Sequence, residues 1–216
     1  MKKIILFPFN GNAIEAATVI EDINLVRETW EIIGFVDDDP QKKDRPFGAY
    51  KVIGGKEKIL DYPEAMILAV PGRPENYKNR AEIIKLLNIP ASKFATIIHP
   101  QARIGINCII GHNTILMANV VLTANTRIGN HVVILPNTVI SHDSVVGDYS
   151  LLGSNISISG HVTVKQNCYI GSGSKIIQEI TIGEKSLLGL GSVVLKDTFP
   201  GAVVAGNPAK EIRKKQ

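Results

Sequence analysis

Hydrophobic positions along this chain follow two rhythms. Up to about residue 95 they come in blocks. "KKIILFPF" is an apolar run of strand type, and "NAIEAATVIEDI" spaces its apolar residues as a helix does, with Asn12 the expected N-cap. "EIIGFVDDD" predicts a second strand ending in carboxylates, and "AMILAV" a buried strand closed by Pro71 and Gly72. "PENYKNRAEIIKLLNI" predicts a helix that Pro90 stops, and "FATII" a last strand. Strands alternating with helices imply an α/β unit with a parallel sheet and right-handed crossovers, spanning residues 1–95.

From residue 96 to 216 the rhythm is a strict period of six. Taking every sixth position from Ile98 through Ile104, Ile110 and Leu116 to Val194 gives seventeen residues, all Ile, Leu or Val. An α-helix cannot hold that period on one face, because six residues are about 1.7 turns. A plain alternating strand would not place turn residues at fixed offsets of six. A solenoid accounts for both. Each hexad is a short strand and a turn, three hexads close one triangular coil, and each aliphatic points inward onto its counterpart one coil away. Glycine often follows the aliphatic, as at Gly105, Gly111 and Gly147. Two residues before it the chain is small or branched, as at Thr114, Thr138 and Ser144. Cys108 and Cys168 share that position, so both are expected to be buried.

Composition narrows the picture. The 216 residues hold 44% hydrophobics but only 6% aromatics, with 19 glycines, as stacked aliphatic layers require. Two cysteines make no disulfide framework, and no CxxC suggests a metal. They fit a reduced, cytoplasmic protein. The N-terminal apolar stretch is short and is interrupted by Asn10, Asn12 and Glu15, unlike a targeting segment. No run is long enough to predict a membrane span. The net charge of +4 owes much to the closing "KEIRKK". A solvated tail or a small polyanionic ligand accounts for it better than nucleic acid does, because no basic stripe interleaves with aromatics.

The repeats resemble the left-handed parallel β-helix of hexapeptide-repeat acyltransferases. The closing "GSVVLKD" and "VVAGNPAK" resemble the terminal signature of that family. That resemblance implies acetyl-CoA as acyl donor, a homotrimer with sites between adjacent prisms, and a CoA-binding group of Gly206, Asn207, Pro208, Lys210 and Arg213. The turn leaving the helix is a second reason for Gly206, Asn207 and Pro208.

One hexad, "ISHDSVVGD", carries a histidine beside a carboxylate. Acyl transfer needs a base near neutral pH, and a neighbouring carboxylate holds the imidazole tautomer and stabilises the imidazolium. The segment resembles that of bacterial nucleotide-sugar N-acetyltransferases and sialic-acid O-acetyltransferases, which implies His142 as general base and Asp143 as its orienting partner. The same resemblance implies that the Gly160 amide holds the oxyanion, with a further amide at Leu190. Some relatives place a second histidine beside the thioester where this chain has Leu151, which implies a shifted acyl preference. His161 follows His142 by nineteen residues, and His131 follows His112 by the same interval, so each pair is expected on one edge of the prism. His161 is expected to touch substrate, and His99 to mark the junction of the halves.

The nucleotide-sugar members of the family have a Rossmann-like domain ahead of the prism, and the resemblance extends to residues 1–95. Their glycine-rich loop after the first strand meets the nucleotide at a helix N-terminus. Here the loop is "PFNGNA", so Asn10, Gly11 and Asn12 are the expected contacts, with Asp37 and Asp38 reaching base or ribose. The function implied is N-acetylation of a nucleotide-linked amino sugar for surface-glycan synthesis. O-acetylation of sialic acid or a related sugar is the nearest alternative, and a non-catalytic sugar-nucleotide binding protein another. A β-helix carbonic anhydrase would gather three such histidines round a metal. It would leave the acyltransferase ending unexplained, and no metal is expected.

Overall fold

The computed structural model describes residues 1–212. Arg213, expected to meet CoA, lies outside the described residues. The first apolar run is strand β1 (Lys2–Phe7), followed by helix α1 (Gly11–Val26). The N-cap is Asn10, not Asn12: the Asn10 side chain accepts from the Ala13 N–H. Asn12 instead turns its Nδ2 onto the Val70 and Gly72 carbonyls at 3.2 Å. Strand β2 (Trp30–Val36) is as predicted. A hairpin of β3 (Pro46–Phe47) and β4 (Tyr50–Gly54) is an addition, since strands that short leave little pattern. With β5 (Met66–Ala69) these form a sheet ordered β3-β4-β2-β1-β5, in which β4, β2, β1 and β5 run parallel. The predicted second helix shortens to α2 (Arg80–Lys85), with a 3-10 turn before it and Asn88 at φ 49° after it.

"FATII" joins this sheet only through one parallel bridge, between Phe94 and Ile67 of β5. Ile97–Ile98 is β6 and pairs with Ile115–Leu116, so it opens the prism. Seventeen two-residue strands run from β6 to β22 (Val193–Val194). From β6 to the strand at Lys175–Ile176, each pairs in parallel with the strand eighteen residues on, as Val121 does with Val139 and Leu122 with Ile140. The result is a left-handed β-helix with three flat faces. Two have five and six strands, and the third has eight after β23 (Val203–Gly206) and β24 (Ala209–Glu211) join it as a hairpin.

Fourteen of the seventeen period positions, from Leu116 to Val194, are at most 3% exposed. The first three, Ile98, Ile104 and Ile110, are less covered because no coil lies above them. The same open end leaves Cys108 only partly buried, whereas Cys168 is fully buried, so that expectation holds for one cysteine of two. Burial pushes the Cys168 thiol up to about 12 and makes it inert.

Outward-pointing residues on the eight-stranded face are covered as well. Ile115, Val133 and Leu151 share one core with Ile4, Leu6 and the alanines of α1. Each such burial contributes about 1.5–3 kcal/mol. Leu151 is therefore packed beneath the α/β region, with only 4% exposure, and the acyl role suggested for it has no structural basis. His99 does lie at the junction: it is buried and its Nε2 sits 3.0 Å from Asp22 of α1.

Candidate active site

A left-handed turn residue recurs at each corner of the prism. Asp143 and His161 occupy such positions, at φ 58° and 56°, on the edge between the six- and five-stranded faces. His142 Nδ1 lies 2.8 Å from Asp143 Oδ2. An ionised carboxylate only accepts, so Nδ1 carries the proton and Nε2 keeps its lone pair. The His142 bond, and then one from Asn125 Nδ2, holds the Asp143 carboxyl below its ordinary pKa. His161 Nε2 is 3.7 Å from the same Oδ2, and the two rings meet edge to face at 5.2 Å. His142 and His161 are each 56% exposed, so the pair opens to solvent.

Gly160 lies beneath the His142 ring. A Cβ there would fall 2.6 Å from Cε1 and 2.7 Å from Nε2, so any side chain would displace the imidazole. This steric demand is a reason for glycine separate from the amide. Ser144 fixes the turn from behind: its Oγ donates to Ser159 O at 2.9 Å and accepts from Val162 N at 3.1 Å. His142, Asp143 and His161 are also the one grouping of three possible metal ligands among the described residues, with ligand atoms within 4.8 Å of one another.

Leu190 does not join them. It follows a strand of the eight-stranded face and precedes one of the six-stranded face, so it stands on a different edge from Gly160. One hexad of extended chain separates the edges by up to about 20 Å. Leu190 is 74% exposed there. Gly206, Asn207 and Pro208 form the turn between β23 and β24, where φ of 100° requires the glycine. Pro208 and Lys210 line a cavity of about 390 Å³ at the C-terminal end, together with Lys196 and Phe199. Lys196 went unnoticed in the sequence. It lies eighteen-residue steps from His142, through Gly160 and Gln178.

In the α/β region, Asn10, Gly11, Asn12, Asp37 and Asp38 do converge on one cavity, of about 520 Å³, with Lys42 and Arg73. Asp37 is buried, and its oxygens already accept from Phe9 N, Asp39 N and Lys42 Nζ. Asp38 accepts from the N–H and Nζ of Lys56. Both carboxylates thus shape the cavity wall before any ligand arrives.

The second histidine pair sits on the edge between the five- and eight-stranded faces, under the α/β region. The rings of His112 and His131 meet at 4.8 Å, and His131 stacks on Tyr149 at 4.7 Å. Asn113 donates to Ala69 O and accepts from Ala69 N, so its amide caps the free edge of β5. Fully buried Arg80 donates to the carbonyls of Pro71, His131 and Tyr149. Burial, with His112 and Arg80 nearby, pushes His131 down to about 4.

Comparison with known proteins gives this geometry a setting. The sequence matches the GMPPB C-terminal domain family over residues 93–199. The whole chain superposes on the acetyltransferase domain of PglB from Neisseria gonorrhoeae FA1090, with a TM-score of 0.84 at 25% identity, covering 98% of this chain and 100% of that one. Its match to PerB from Caulobacter crescentus, solved with CoA and GDP-perosamine, has a TM-score of 0.82 at 25% identity and covers 99% and 98%. WeeI from Acinetobacter baumannii AYE, at 21% identity, shares the fold with a TM-score of 0.83 over 97% and 99%. No curated protein sequence matches significantly. The chain shares with these sugar acetyltransferases the left-handed β-helix of hexapeptide repeats and the α/β region ahead of it.

Proposed function

We propose that this protein transfers the acetyl group of acetyl-CoA to the amine of a nucleotide-linked amino sugar, with His142 as general base. The observation that carries the reading is the His142–Asp143 pair with Nε2 free above Gly160. It stands on a fold matched across nearly its whole length by a structure holding CoA and GDP-perosamine. The amine attacks the thioester carbonyl, forming the C–N bond, while His142 Nε2 takes the proton the nitrogen sheds. Negative charge collects on the carbonyl oxygen, and the Gly160 N–H donates to it. The C–S bond then breaks, and the proton passes from His142 to the departing CoA sulfur. Asp143 stabilises the imidazolium between these steps.

The acceptor's phosphates bind at the α1 N-terminus, where Gly11 and Asn12 line the cavity. Lys210 meets the CoA phosphates at the other end. The α/β region covers the eight-stranded face, whereas His142 is on the edge opposite that face. A sugar held in one chain's cavity therefore reaches the His142 edge of a neighbouring prism. This supports a homotrimer, in which a partner's exposed Leu190 edge approaches Gly160. No helix among the described residues is long and apolar enough to cross a membrane. Both cysteines are free, which supports a cytoplasmic location.

The test is thiol release from acetyl-CoA across a panel of nucleotide-linked amino sugars, for wild type and His142→Ala. Turnover with an amino sugar, reduced at least about 10²-fold in the variant, is expected. Turnover only with hydroxyl acceptors would replace N- by O-acetylation, and undiminished turnover in the variant would remove His142 as the base.

A further inference from the structure

Asn107, Asn125, Asp143 and His161 follow one another at eighteen-residue intervals along the edge that holds the His142–Asp143 pair. All lie in the left-handed region, at φ 57°, 59°, 58° and 56°. Asn and Asp tolerate that conformation better than other side chains, which alone can explain an asparagine at such a turn. A second edge shows that plain case: Asn119 donates to Asn137 at 3.1 Å, and the contact runs between amides only.

The ladder beside His142 ends differently. Asn107 Nδ2 donates to Asn125 Oδ1 at 3.2 Å, and Asn125 Nδ2 donates to Asp143 Oδ1 at 2.9 Å. Asp143 Oδ2 is left for His142 Nδ1 at 2.8 Å. The chain has a direction. An amide has one acceptor end and one donor end, and Asn107 occupies the acceptor end of Asn125. Asn125 is thereby held from flipping and presents N–H, not oxygen, to the carboxylate.

We propose that Asn125, oriented by Asn107, is a positioning residue for acyl transfer: it pins one oxygen of Asp143 so that the other holds the His142 tautomer whose Nε2 is free. This deepens the assignment of His142 as base and rests on it. The charged or titratable groups around the imidazole are Asp143 and His161, and Arg127 lines the open groove shared by Asn107, Asn125 and Asp143. With Asp143 released, the imidazolium loses a held partner and the Nδ1–H tautomer is no longer selected.

The experiment compares Asn125→Ala with Asn119→Ala by nitrogen-15 NMR of the His142 ring in the full chain, which reads the nitrogen that carries the proton, alongside steady-state kinetics. Both positions have φ 59°, so the backbone strain introduced is matched. The expected result for Asn125→Ala is loss of the preference for the Nδ1–H tautomer of His142, with kcat lowered about tenfold and KM for both substrates unchanged. Asn119→Ala should leave the tautomer in place. Asn125→Asp, which keeps a side chain suited to the turn but sets carboxylate against carboxylate, should lower kcat at least as much. Identical His142 ring spectra in Asn125→Ala and Asn119→Ala would overturn the proposal. Should His142→Ala retain full turnover, the base assignment falls, and the ring spectra still decide whether Asn125 governs the Asp143–His142 pair.

Discussion

Two edges of one prism carry a histidine pair with the same spacing, and the surroundings give the pairs opposite properties. On one edge His142 and His161 stand in solvent beside a carboxylate whose pKa is lowered by the His142 bond and then by an amide ladder. On the other, His112 and His131 lie beneath the α/β region among Phe94, Tyr149 and the guanidinium of Arg80, with His131 neutral. An imidazole becomes a base where a carboxylate stabilises its cation and a lone pair faces open space. Stacked between rings and next to a buried cation, it becomes packing. The comparison teaches that the repeat supplies positions, and neighbours supply chemistry.

The sharpest way to break the contrast is on the exposed edge. Gly160→Ala places a methyl group within van der Waals distance of the His142 ring. Turnover is expected to fall about 10²-fold or more, approaching the loss of the base itself. Thermal unfolding should change little, since the ring can swing into solvent. Wild-type turnover in this variant would mean that the imidazole is not held as the structure holds it.

The covered edge should answer in stability instead. Asn113→Ala removes both hydrogen bonds to Ala69 and the one to His131 Nδ1. It leaves the buried N–H and carbonyl of Ala69 unpaired, at a cost of about 2–4 kcal/mol. Chemical denaturation should show that loss, while kcat per folded molecule stays near wild type. A large fall in kcat without loss of stability would merge the roles of the two edges.

A smaller and graded effect is expected from pH. His131 titrates near 4 in the folded protein, below the ordinary histidine value of about 6.5. Between those values the unfolded chain binds a proton that the folded chain refuses. Stability from this group is therefore complete above about pH 6.5 and is lost as pH falls toward 4, by at most about 3 kcal/mol. His131→Gln should flatten that part of the wild-type stability-versus-pH curve. An unchanged slope would assign the acid sensitivity to carboxylates elsewhere.

Much of this was legible in the sequence, for a definite reason. A solenoid repeats, so arithmetic on residue numbers becomes geometry. The period of six gave the prism, and the interval of nineteen gave both histidine pairs. Thirty residues separate Gly160 from Leu190, which is not a whole number of coils, so the same arithmetic separates their edges. The role of Asn125 needed the ladder seen in three dimensions, because an asparagine at a left-handed turn looks alike on every edge. In the α/β region no such arithmetic applies. There the N-cap moved from Asn12 to Asn10, and Asp37 and Asp38 proved occupied by Lys42 and Lys56. Leu151 was misplaced because the period says which residues point outward but not what covers them.

The shared core beneath that covered face bears on how such proteins can be taken apart. The change of rhythm near residue 95 invites dissection there, yet Ile115, Val133 and Leu151 would then be a bare aliphatic strip on a parallel sheet. A prism cut free at that point should associate through this strip, and its front half should lose much of the support for α1. Grafting a different acceptor-binding region onto this helix would require redrawing that strip, one residue per coil, together with the edge that Asn113 seals.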